Sequence, residues 1–170
     1  MQDTTEIFNE VEGLLARWLE ERNELIQRFH HANEMPEENT DEAPIAKFCE
    51  LLVDYVSVGH FEVFQKLISE GRAFEDLKHL VQAEQLLPEI SATTEVALEF
   101  NDHFEAASDK LAMEIELATL RDVLATRFAL EDKLIEILHT SHEVTANEFG
   151  ALCSPAFIDS KSYPFALQPS

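Results

Sequence analysis

Phe48-Cys49-Glu50-Leu51-Leu52-Val53-Asp54-Tyr55-Val56-Ser57-Val58-Gly59-His60-Phe61 decides the fold. Wound on a helix at about 100° per residue, its apolar side chains cover most of the circumference. Phe48, Leu51, Leu52, Tyr55, Val56 and Val58 leave open a single polar strip of Glu50, Asp54 and Ser57. A helix apolar over so much of its surface is a central one, touched from several sides. If helical phase continues through Gly59, Phe61 lands beside Asp54 and Ser57. That sets a large aromatic next to a carboxylate on the side the core does not claim. The strip reads either as an ordinary wet edge or as a contact strip for a partner.

The rest of the chain supplies helices to pack around this one. With 170 residues, 4 Gly, 6 Pro and no run of alternating strands, the chain is expected to form one all-α domain. Asp3 to Glu6 has the spacing of a capping box. Ile7, Val11, Leu14, Leu15, Trp18, Leu25, Ile26 and Phe29 then recur at helical spacing to about Ala32. Pro36 marks an acidic loop, and Pro44 suits the first turn of the central helix. Gly59 is expected to kink or break the helix before Phe61, Phe64, Leu67 and Ile68, and Gly71 to end it. A further stretch starts near Ala73 and carries Phe74, Leu77, Leu80, Val81, Leu86 and Leu87, with Pro88 as a kink or restart. The last long helix is expected from about Ser108 to His139 or Ser141, on a stripe of Leu117, Leu120, Leu124, Phe128, Leu134, Ile135 and Leu138.

Two charged residues interrupt these stripes. Arg22 falls among Leu15, Trp18 and Phe29, and Glu131 sits at the centre of the last stripe. A buried charge is tolerated chiefly when paired, so an Arg22–Glu131 structural ion pair across the bundle is expected. A weaker alternative pairs Arg22 with Glu50 or Asp54.

After Glu143 the character changes. Pro155, Pro164 and Pro169 preclude a long helix. Phe149, Leu152, Phe157, Ile158, Tyr163, Phe165 and Leu167 are too apolar for a plain solvated end. The expected organisation is therefore a helical domain over 1–143 and an irregular C-terminal extension over 144–170, extended or docked, with no independent domain.

Charge narrows the partners. The chain carries 12 Lys+Arg against 34 Asp+Glu, a net charge of −22. Such a surface repels nucleic-acid phosphates and anionic membranes, and speeds the approach of basic partners. No apolar run reaches the length of a membrane span and no leader pattern opens the sequence. Cys49 and Cys153 read as reduced thiols, so a cytoplasmic location is expected.

Chemistry is sparse. A carboxylate-bridged bundle metal site needs two Glu-x-x-His pairs and two more Glu. Glu136 to His139 is one pair, and Asp76 to His79 is only a shorter-armed relative. No phosphate loop, dinucleotide turn, nucleophile elbow or paired-cysteine zinc pattern is found. No cofactor and no catalytic role are expected. A carboxylate-rich bundle metalloprotein remains the reading from another class. A module for some other basic regulatory partner is a third.

Three blocks in order carry a resemblance. Arg17-Trp18-Leu19-Glu20-Glu21-Arg22, then Asp54-Tyr55-Val56-Ser57-Val58-Gly59-His60-Phe61, then Arg127-Phe128-Ala129-Leu130-Glu131-Asp132-Lys133-Leu134-Ile135 are similar to the Rsd/AlgQ family. These are bacterial regulators of the primary sigma factor of RNA polymerase. The resemblance spans roughly residues 7–142. It implies an all-α fold around a four-helix-bundle core with short extra helices. It also implies an anti-sigma factor that sequesters the sigma domain recognising the −35 promoter element. It places the partner-binding face on Leu14, Trp18, Asp54, Ser57 and Phe61, with Trp18 and Phe61 as anchors. Val58 departs from the small residue that the family pattern carries. A monomer or weak homodimer is expected.

Overall fold

A computed structural model describes residues 3–34, 43–104 and 109–143. The extension over 144–170, with Cys153, lies outside the described residues. The described chain is all-α, and four long helical segments form the bundle. The first, α1, is Thr4–His31. The second runs without interruption as α2 (Pro44–Val58), a π-helical turn (Gly59–Val63) and α3 (Phe64–Ala73). The third and fourth are α4 (Leu77–His103) and α5 (Lys110–Leu138), followed by a 3-10 turn at Thr140–His142. Helix α1 packs against α2 and α3, and α4 against α5, with α2 and α3 also touching α4.

The central stretch is inside as its pattern requires. Phe48, Leu52, Tyr55 and Val56 are buried against Leu15, Trp18 and Leu25 of α1 and Phe128 of α5. Cys49 is buried too, and burial pushes its thiol up to about 12, so it stays protonated at neutral pH.

Several local expectations are corrected. Asp3 caps α1 by accepting from the Thr5 N–H at 3.3 Å. Gly59 does not break the helix, because its backbone stays right-handed at φ −54° and ψ −52°. The surplus residue is absorbed as a π turn. Helical phase is therefore not carried unchanged from Asp54 to Phe61.

Gly71 does not end α3. It lies buried inside the helix, where a Cβ would sit 2.8 Å from Leu80 Cδ2 and 2.9 Å from Leu138 Cδ2. Its role is close packing. The stop comes at Glu75, in the left-handed region at φ 55°. Asp76 N–H bonds to Gly71 O at 2.9 Å, and Glu75 N–H to Arg72 O at 3.0 Å. These are the two crossed bonds of a Schellman motif, closed here by Glu where Gly is usual. Asp76 then caps α4, so that helix starts at Leu77 rather than near Ala73. Pro88 is carried within α4. Leu77 and Val81 face outward rather than into the core, at 73% and 56% exposure.

Candidate partner-binding site

Beneath the surface that concerns the partner lies a charged core. Arg22, Arg127 and Glu131 are fully buried. Arg22 Nη2 meets Glu131 Oε1 at 3.2 Å, and Arg22 Nη1 meets Asp132 Oδ1 at 2.6 Å. The Tyr55 hydroxyl accepts from Arg22 Nε at 3.0 Å and donates to Glu131 Oε1 at 2.5 Å. Arg127 Nε donates to Glu131 Oε2 at 2.9 Å, and its Nη1 reaches Thr93 Oγ1 at 3.1 Å and Thr94 Oγ1 at 2.5 Å. Both carboxylate oxygens of Glu131 thus face a guanidinium, the condition under which buried charge is tolerated.

Burial alone would depress the Arg22 guanidinium. The fields of Tyr55, Glu131 and Asp132 outweigh it and hold Arg22 above its ordinary value. Burial pushes the Tyr55 phenol far up, Arg22 opposes and Glu131 adds to the rise, so Tyr55 remains a donor.

Trp18 belongs to this interior. It is 1% exposed, stacks on Tyr55 with centroids 4.8 Å apart, and meets Phe64 edge-on. Its indole N–H donates to the Tyr55 carbonyl at 3.2 Å. Trp18, expected as an anchor of the contact face, is thus buried within the chain itself. The indole shares the inward face of α1 with Leu15, Leu25 and Arg22, and its polar atom is already used.

The other four residues reach the surface. Phe61, on the π turn, is 67% exposed, with the His60 ring edge-on to it at 4.8 Å. Leu14 is half-buried on α1, and these two line one groove between α1 and the π turn with Gly13, Arg17 and Glu62. Asp54 is exposed and Ser57 half-buried on the outer strip of α2. Neither lines the groove, and Asp54 alone connects to it, through charge. Glu21 of α1 is raised first by burial, then by Asp54, then by Glu62 beside Phe61. Carboxylates of α2 and the π turn therefore both act on Glu21 of α1.

The histidine motifs resolve differently. Glu136 faces out, 3.6 Å from Lys133 Nζ, while its partner in sequence, His139, turns inward to Glu70 at 2.6 Å. Asp76 and His79 bond to each other at 2.6 Å. Among the described residues no group of three or more His, Cys, Asp or Glu is arranged to hold a metal ion. No described helix is long and apolar enough to cross a membrane.

Sequence reasoning missed Arg127 and Tyr55. Arg127 had a signal, since it fills the i+3 place in Leu124-Arg127-Glu131 on the buried face of α5. Tyr55 was read only as apolar.

Comparison with known proteins places the chain. It is 32% identical over 131 residues to the regulator of sigma D of Sodalis glossinidius, covering 72% of this chain and 86% of that protein. It is 28% identical over 148 residues to the regulator of sigma D of Pectobacterium carotovorum, covering 82% and 96%. That of an Enterobacter species is 29% identical over 157 residues, covering 87% and 93%. Residues 1–139 match the family described as regulator of RNA polymerase sigma(70) subunit, Rsd/AlgQ, and the chain belongs to that family.

Proposed function

We propose that this chain is a cytoplasmic anti-sigma factor. It binds the primary sigma factor through the domain that recognises the −35 element and holds it away from promoters. The family and its relatives named regulators of sigma D support a role in regulation rather than catalysis. The observation that carries the reading is Phe61, 67% exposed on a π turn, in a groove it shares with Leu14 and Glu62. A promoter-binding domain is basic because it neutralises phosphates. An acidic face with one desolvated aromatic competes for that same surface. The contact face is then Leu14, Asp54, Ser57 and Phe61, with Trp18 and Tyr55 stacked beneath as its rigid support.

Titration of the isolated −35-recognising domain against the wild type, Phe61→Ala and Asp54→Ala tests this. Phe61→Ala is expected to cost about 2 kcal/mol or more of binding. Asp54→Ala is expected to cost about 1.5–3 kcal/mol through charge-assisted bonds. Both side chains are exposed, so thermal melts of the two variants should match the wild type. Unchanged affinity in both would remove this face from the mechanism.

A further inference from the structure

At the end of the bundle formed by the C-termini of α3 and α5, five titratable side chains make a continuous hydrogen-bonded chain. The order is His79, Asp76, His142, Glu70, His139. His79 Nδ1 lies 2.6 Å from Asp76 Oδ2, and His142 Nε2 lies 2.8 Å from the same oxygen. His142 Nδ1 lies 2.6 Å from Glu70 Oε2, and His139 Nδ1 lies 2.6 Å from Glu70 Oε1. Glu70 is fully buried, and His139 and His142 nearly so. Phe74 stacks on His142 and Phe8 on His139, each with centroids 4.2 Å apart, so neither ring is free to turn away.

The geometry at His142 fixes a proton count. A neutral imidazole has one N–H donor and one bare acceptor nitrogen. An ionised carboxylate only accepts. His142 has a carboxylate oxygen within hydrogen-bond distance of each ring nitrogen. With Glu70 and Asp76 both ionised and His142 neutral, one of these contacts would set a bare nitrogen against a bare oxygen. Both contacts hold only if the Glu70–His142–Asp76 triad carries one additional proton. His139 and His79 each place Nδ1 against a carboxylate oxygen, a contact that one N–H donor satisfies.

We infer that His142 and its two carboxylates form a proton-dependent latch that ties the C-terminal turn of the bundle to α3 and to the cap of α4. With the proton bound, His142 bridges the buried end of α3 to Asp76, which also accepts from the His79 N–H as the cap of α4. Without it, one bridge becomes repulsive and the turn at Thr140–His142 loses a tie.

The charges around the triad agree. Burial alone would lower His142, but its bonds to Glu70 and then Asp76 outweigh that and raise it above the usual imidazole value. Asp76 is lowered; burial pushes it up, and its bonds from His79 and His142 prevail. On α1, burial raises Glu12, His139 opposes, and Glu143 and Glu70 add to the rise. That adds negative potential on the same side and favours retaining the proton. The sign follows. A group whose folded value lies above its unfolded one contributes its full stabilisation below the unfolded value. It loses that stabilisation as pH rises through the folded one. The latch is closed below the ordinary imidazole range and opens as pH rises through the raised His142 value.

The test uses the full chain, wild type against His142→Gln, unfolded in urea across about pH 6 to 9. Glutamine keeps a donor and an acceptor but cannot take up a proton. The wild-type unfolding constant should rise relative to the variant's by up to about tenfold per pH unit above the ordinary imidazole range, then level off. A gap between the two that stays constant with pH would show His142 to be packing only. Nuclear magnetic resonance of the wild type at about pH 6, below the ordinary imidazole value, supplies an independent reading. A doubly protonated His142 ring, or a protonated carboxyl on Glu70 or Asp76, supports the latch. A singly protonated ring between two ionised carboxylates overturns it.

Discussion

Glu131 is the residue on which the interior turns. Its two oxygens take Arg22 on one side and Arg127 on the other, while the Tyr55 hydroxyl shares the first. Replacing it by Gln preserves volume but leaves two buried guanidiniums with one ionised neighbour, Asp132, which only Arg22 reaches. Glu131→Gln is therefore expected to destabilise by about 3–5 kcal/mol in chemical denaturation, the range for removing one partner of a buried pair. Arg22→Met should cost less than Glu131→Gln, because Arg127 still answers Glu131. A cost for Glu131→Gln below about 1 kcal/mol, the level of an exposed pair, would show that water reaches the site. The Arg22–Glu131 contact was legible in the sequence because each charge interrupts an apolar stripe. Which residues complete it was not. Tyr55 is amphipathic, and its polar end is invisible to a pattern of apolar spacing. The burial of Trp18 was legible from its place in the α1 stripe, and the surface role assigned to it came from the resemblance alone.

At the scale of the element, the stretch from Pro44 to Ala73 is one helix with a π turn at its middle. The sequence marks the place with Gly59, yet composition alone does not distinguish a break from a widened turn. The difference lies in what packs against it. A Cβ on residue 59 would sit 2.9 Å from Trp18 Cζ2 and 3.3 Å from Phe64 Cζ. The helix must run tight against the indole, so Gly is required for space and not for unusual backbone angles. Gly59→Ala improves helix propensity but drives a methyl into a ring pinned between Tyr55 and Phe64. Overpacking of this kind costs about 1–3 kcal/mol, against a propensity gain of about 1 kcal/mol at most. The expected outcome is a lower melting temperature together with altered Trp18 fluorescence, since Trp18 is the one tryptophan in the chain. A variant as stable as wild type with an unchanged emission spectrum would refute the close approach. The latch at the bundle's end illustrates the limit of sequence reading. Glu70, Asp76, His139 and His142 come from separate elements, and the local Glu136-to-His139 spacing pointed to a pairing that the fold does not use.

For the whole molecule the governing quantity is a net charge of −22. The ion-paired set of Arg22, Arg127, Glu131 and Asp132 carries two charges of each sign and sums to zero, so the rest of the chain carries the whole of it. A field of this size acts over about the Debye length, roughly 8–10 Å at moderate salt. It governs how fast a basic partner arrives rather than how long it stays. If the proposed face binds the −35-recognising domain, association should slow several-fold between low and physiological salt. Dissociation should change little, because it depends on Phe61 and the desolvated contacts around it. Stopped-flow or surface-based kinetics across a salt series separates the two rates. Phe61→Ala should raise the dissociation rate and leave the salt slope of association unaltered. Asp54→Ala should shallow that slope. An association rate indifferent to salt would mean that the negative charge serves solubility alone, and the basic-partner argument would then rest on the family relationship without electrostatic support.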